Sequence, residues 1–132
     1  MHYKWKEKDT LETRKLCNAI RKHPKTGDML FFNQVLLFHV ACLDRDTYDG
    51  LRAQFSENDF PRNVYFGDGS VIDNSIIEEI VAVMDEHCYK HIWNESDIIL
   101  LDNMLTAHAR LPFKGERKVV VAIGNEIKET DV

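Results

Sequence analysis

Two apolar runs on either side of a short polar loop constrain this chain more than any other feature. In "LLDNMLTAHARLPFKGERKVVVAI", residues 100–123, one run closes at His108 and the next opens at Arg117. Aliphatic and β-branched residues in short runs bounded by Pro and Gly are strand signals. Pro112 and Gly115 punctuate "LPFKGE" (111–116). The sequence therefore predicts a hairpin-type loop there, joining a strand over 93–109, broken by Asp102 and Asn103, to a return strand over 117–123. On such a hairpin His108 and Arg117 flank the loop and can face the same side. A third strand is predicted in "MLFFNQVLLFHVACL" (29–43), which is rich in Phe, Val and Leu and reads as extended and buried. Three strands do not close a good sheet, and their open edges need partners.

The remaining segments read mainly as helices and turns. Over 75–91, Ile76, Ile77, Ile80, Val81, Met84 and Cys88 recur at helical spacing, and Ser75 with Glu78 forms an S-x-x-E capping box. Leu11, Leu16, Ala19 and Ile20 suggest a helix over 9–22, and Leu51 with Phe55 a short helix over 44–55. "HPKTGD" (23–28) is a turn. Residues 57–72 read as loop, with "VYF" a short strand before the "GDGS" turn, and the polar tail after 123 reads as frayed. The expected class is α+β in a single domain, 1–132.

A chain of 132 residues, 44% hydrophobic and 30% charged, can bury a core. A net charge of -5 argues against nucleic acid as a partner. No apolar run reaches the roughly 18 residues of a membrane span, and "MHYKWKEKDT" has no signal-peptide core. Cys17, Cys42 and Cys88 have no paired spacing, which suits reduced, buried thiols and a cytoplasmic location.

His108 and Arg117 carry the chemistry. A neutral imidazole is a common ligand for iron(II), and a guanidinium clamps a carboxylate through two parallel hydrogen bonds. Together they suit a metal and the far end of a dicarboxylic cosubstrate. On spacing alone, a packed rim histidine is the commoner reading.

Three segments, "HPKTGDMLFFNQ" (23–34), "NVYFGDGSVI" (63–72) and "DIILLDNMLTAHARLPFKGERKVVVAI" (97–123), resemble the taurine dioxygenase-like family of Fe(II)/2-oxoglutarate-dependent oxygenases. The likeness is nearest to the branch containing the syringomycin-pathway hydroxylase. It implies a double-stranded β-helix, the jelly-roll or cupin-like fold, here as a partial sheet with flanking helices. It implies that His108 is the distal iron ligand and that Arg117 pairs with the far carboxylate of 2-oxoglutarate. Asp102 and Asn103 match the "DN" ahead of that histidine and would support the site. Arg110 could touch substrate or cosubstrate, and Asn33 lies near the pocket wall.

The chain departs from the family pattern in one decisive respect. A facial iron triad needs two histidines and a carboxylate, and the first two ligands come as a His-x-Asp or His-x-Glu pair. The six histidines read "HYK", "HPK", "HVA", "HCY", "HIW" and "HAR", and none begins such a pair. The expectation is that this chain resembles the C-terminal half of an oxygenase, completed by an N-terminal half or a homodimer and acting on a small-molecule substrate. An alternative is an inactive remnant that binds a small carboxylate or a protein. A third reading, a small stand-alone metal or cupin-like binding protein using His108 with His39 or another histidine, has no spacing to support it. A smaller departure is Ser96, where relatives usually carry Gly. His87 and His91 read as a surface pair near a helix end, and "GDGS" as a tight turn without the Lys of a phosphate loop.

Overall fold

A computed structural model describes residues 1–7 and 9–124. Of the tail predicted to be frayed, 124–132, residues 125–132 lie outside the described residues. The chain divides into two compact units, Met1–Cys17 with Asn33–Trp93, and Asn18–Phe32 with Asn94–Val132.

The first unit opens with a hairpin. Strand β1 (His2–Trp5) pairs antiparallel with β2 (Leu11–Arg14), placing Tyr3 opposite Thr13 and Trp5 opposite Leu11. The turn between them is closed by the Lys6 amide donating to the Thr10 carbonyl at 2.8 Å. Lys6 Nζ then bridges Glu12 at 2.7 Å and Asp59 at 2.9 Å. This hairpin overturns the helix predicted over 9–22. The helical spacing there had no apolar face to bury, since Leu16 and Ile20 are both exposed, and cross-strand pairing outweighs a weak helical propensity.

The run over 29–43 is not one strand either. It contributes only a two-residue strand, then turns helical as α1 (Val35–Phe38) and a 3-10 turn at Val40–Cys42. Two polar side chains set these turns. Asn33 Oδ1 accepts the Val35 amide at 2.9 Å, and His39 Nδ1 accepts the Ala41 amide at 3.1 Å. Such local bonds offer the backbone an alternative to a sheet ladder.

Two longer helices follow. In α2 (Arg45–Gln54), Asp44 caps the first turn by accepting from the Thr47 amide at 3.0 Å. Helix α3 (Asn74–Glu86) begins at Asp73, whose Oδ1 accepts the Ser75 amide at 2.8 Å, so the cap is Asp73 rather than Ser75. It also stops at Glu86, short of the predicted 91. The core sits where α3 meets the turns: Val35, Ile72 and Ile77 are buried, with Leu36, Ala41, Val64 and Ile80 packed against them. The "GDGS" segment is the tight turn expected, bridging Tyr65 to Val71 with Gly69 at φ +88°.

The second unit carries a short antiparallel pair, β3 (Arg21–Lys22) with β4 (Met29–Leu30), around the 23–28 turn. Beyond Asn94 its described residues form turns and irregular chain without a strand. The strands predicted over 93–109 and 117–123 are therefore not formed. A helix satisfies its own backbone, whereas a strand needs a neighbour. No described residues offer these two segments one, and Leu100, Val120 and Ile123 are left exposed. The three cysteines are exposed as well, against the buried state expected of them. No helix among the described residues is long and apolar enough to cross a membrane.

Candidate functional site

The second unit contains two turns joined by one side-chain contact. In the 23–28 turn, the His23 amide donates to the Asp28 carbonyl at 2.7 Å, and the Gly27 amide donates to the His23 carbonyl at 2.9 Å. The His23 ring is 3% exposed. Its Nδ1 accepts the amides of Lys25 at 3.3 Å and Thr26 at 3.1 Å. Because Nδ1 accepts, Nε2 carries the proton and donates to Asp102 Oδ2 at 3.2 Å.

Asp102 organises the second turn. Its Oδ1 accepts the amides of Met104 at 2.9 Å and Leu105 at 3.2 Å, and its main-chain carbonyl accepts from the Thr106 amide at 2.9 Å. These two side-chain-bound amides, and after them His23, hold the Asp102 carboxyl below the usual carboxylate range. Asn103 lies in the same turn and is exposed.

His108 leaves this turn exposed, with Nδ1 3.4 Å from the Thr106 carbonyl oxygen. A carbonyl only accepts, so the contact selects the Nδ1–H tautomer. Arg110 and Arg117 both lie over the Phe113 ring, each 5.1 Å from its centroid, within cation–π range. The two guanidiniums thus share one ring, with Gly115 at φ +89° in the bend between Phe113 and Arg117. The predicted hairpin does not form, so His108 and Arg117 do not face each other across paired strands. Asn33 belongs to the first unit, where it holds the start of α1.

Ser96 sits at φ +74°, in the left-handed region that favours glycine. That is a physical reason for the Gly expected at this position. His87 caps the end of α3, and His91 lies beyond the helix, edge-on to Trp93 with centroids 5.3 Å apart, so the pair does not share a helix face. His23 is the residue that motif reading passes over. Its signal is an imidazole directly before a Pro-containing turn, where the following amides are free to point back at Nδ1.

The donor set fits a carboxylate better than a metal. Arg117 and Arg110 are exposed, and each guanidinium lies 5.1 Å from the centroid of the Phe113 ring. Among the described residues no three His, Cys, Asp or Glu side chains come together to hold a metal ion. His108 offers a single imidazole, where a facial iron site takes two histidines and a carboxylate, and among the described residues no such group forms around it. These residues alone do not fit Fe(II).

The dapdiamide synthesis protein DdaC of Enterobacter agglomerans is 33% identical over 119 residues, covering 90% of this chain and 36% of that protein. A clavaminate synthase-like protein of Arabidopsis thaliana is 32% identical over 105 residues, covering 80% of this chain and 28% of that protein. The chain thus spans about a third of the length of these relatives. No solved structure matches it. Residues 1–123 match the family described as taurine catabolism dioxygenase TauD, TfdA, with the "HPKTG", "LLDN", "HAR" and "GER" residues all inside the match, and the chain belongs to that family.

Proposed function

We propose that this chain is the C-terminal part of an Fe(II)/2-oxoglutarate-dependent dioxygenase that hydroxylates an amino acid or a peptide natural-product intermediate. The observation that carries the reading is the family match over 1–123, which contains both His108 and Arg117. The names of the two relatives, one a synthesis protein and one clavaminate synthase-like, support a small-molecule substrate of that kind. His108 supplies one iron ligand, and Arg117 anchors the far carboxylate of 2-oxoglutarate. Asp102 and Asn103 support the turn before His108, Arg110 adds positive charge beside the cosubstrate, and Asn33 shapes the pocket wall.

The His-x-Asp or His-x-Glu pair comes from a segment outside these 132 residues, on the same polypeptide or on a partner. Docking of that segment gives the runs 97–101 and 117–123 their missing strand neighbours within a jelly-roll, and the 132 residues act as one half of that domain in the cytoplasm. A homodimer would cover the same edges. When bound, iron and 2-oxoglutarate supply the oxidising chemistry. The part of this chain is to bind and orient the cosubstrate and to exclude water around it.

The single imidazole in the donor set favours a second reading, a small-carboxylate or protein-binding module without redox chemistry. One experiment separates the two. The chain is co-expressed with the upstream segment that carries the His-x-Asp/Glu pair, and 2-oxoglutarate affinity is measured by calorimetry with and without iron(II). The first reading expects iron-dependent binding, weakened by about 2–3 kcal/mol in Arg117→Ala through loss of a charge-assisted pair. An affinity unchanged by that substitution removes Arg117 from the site. Binding that ignores iron supports the second reading.

A further inference from the structure

His23 and Asp102 are 79 residues apart in sequence and 3.2 Å apart in space. A buried imidazole is costly unless its nitrogens are bonded, and this one is bonded at both. Nδ1 is occupied by the amides of Lys25 and Thr26, so only Nε2–H is left to reach outward. It reaches the one Asp102 oxygen that the 102–106 turn does not use. The carboxylate divides its work: Oδ1 closes the turn through Met104 and Leu105, and Oδ2 is tied to His23. The Asp102 side chain is 44% exposed, so without that tie its second oxygen would be free to turn to water. The same turn ends at Thr106, whose amide bonds back to Asp102 and whose carbonyl faces His108 Nδ1.

We propose that His23 is a positioning residue: through Asp102 and the 102–106 turn it holds His108 as the Nδ1–H tautomer, leaving Nε2 as a free, outward lone pair. An imidazole whose one nitrogen is fixed by a hydrogen bond presents the other in a defined direction. What that lone pair is for rests on the dioxygenase reading above. The placement itself rests only on this chain's own residues.

The test is imidazole nitrogen NMR on the 15N-labelled 132-residue chain, at a pH where its histidines are neutral. Long-range proton–nitrogen correlations report each ring's tautomer. His23 is expected as Nε2–H and His108 as Nδ1–H. In His23→Asn, the Asn oxygen can still accept the Lys25 and Thr26 amides, but the side chain is too short to reach Asp102. His108 should then revert to the Nε2–H form that dominates in an unconstrained neutral histidine side chain. His23→Gln, long enough to donate to Asp102, should retain the wild-type His108 pattern. If His23→Asn loses its amide dispersion, Asp102→Asn replaces it: Oδ1 still closes the turn, while the new amide cannot accept from His23, and the same reversion is expected. A wild-type His108 already in the Nε2–H form overturns the proposal, as does a His108 signal unmoved in whichever folded variant breaks the tie. Neither readout needs iron or 2-oxoglutarate, so failure of the dioxygenase reading would leave the tautomer result standing, and the reverse.

Discussion

Ile77 and Leu100 are both aliphatic residues in apolar runs, and they end at opposite extremes, 1% and 96% exposed. Ile77 lies on α3, in the unit whose core is made by Val35, Ile72 and the turns around α1. Leu100 lies in the unit held by polar bonds: the 23–28 turn, the 102–106 turn and the His23–Asp102 contact between them. The difference follows from where each element finds its backbone partners. A helix closes its hydrogen bonds within itself and needs only a surface to lie on. A strand closes them with another strand, and the segments 97–101 and 117–123 have none among the described residues.

The comparison is sharpest in a pair of truncations read by chemical denaturation. Ile77→Ala should cost about 2–5 kcal/mol, as a buried aliphatic side chain is lost and a cavity left. Leu100→Ala in the same chain should stay within about 0.5 kcal/mol. Equal costs would break the contrast between the two units. If Leu100→Ala becomes costly only after the upstream segment is added, the contrast is sharpened into a statement about the missing neighbour.

The first unit should also respond to pH through His39. This ring is 2% exposed, and its Nε2 has no side-chain hydrogen-bond partner of good geometry among the described residues. Burial, only partly offset by the nearby Ile72 carbonyl, pushes its pKa below the ordinary 6.5. Between the folded and unfolded values the unfolded chain binds more protons, so stability rises with pH in that window. The contribution is whole above about 6.5 and is lost as pH falls through the folded value. Melting of the first unit should therefore drop between pH 7.5 and pH 5. In His39→Asn, which keeps an acceptor for the Ala41 amide and cannot titrate, the slope over that range should flatten. An equally steep profile in the variant would assign the dependence to other groups.

The smallest effect belongs to the second unit. Ser96 holds a left-handed backbone at φ +74°, and glycine adopts that conformation without the steric cost. Ser96→Gly should stabilise the 94–97 turn by about 0.5–1 kcal/mol, the relief being partly offset by greater freedom of the unfolded chain. Hydrogen exchange of the Asp97 amide, which donates to the Asn94 carbonyl at 3.2 Å, reads this directly. Faster exchange in the variant would show that the turn depends on Ser96 for something other than its backbone.

What could be read from the sequence divides along the same line. The helix around Ile77, the short helix after Asp44 and the "GDGS" turn were legible because each is decided by residues within a few positions of it. The caps were less so: Asp73 and Ser75 are both good capping residues, and only the geometry distinguishes them. The apolar run at 29–43 shows the limit of periodicity. Asn33 and His39 turn it helical through single side-chain bonds that no hydrophobic pattern announces. The two C-terminal runs have strand composition without a strand, because pairing depends on residues elsewhere. At the site, His108, Arg110 and Arg117 were legible as residue types in a family pattern. Their arrangement was not: Phe113 gathers the two arginines, and the role of His23 emerges only once Asp102 is seen beside it.

The central claim is that these 132 residues hold part of an oxygenase site and need the rest from elsewhere. The most direct measurement is an anaerobic titration of the chain with iron(II) and 2-oxoglutarate, following the visible charge-transfer band of the chelated complex. The account predicts no band from the chain alone, and a band once the segment bearing the His-x-Asp/Glu pair is supplied. A band from the chain alone would contradict it, showing that a complete site assembles from these residues.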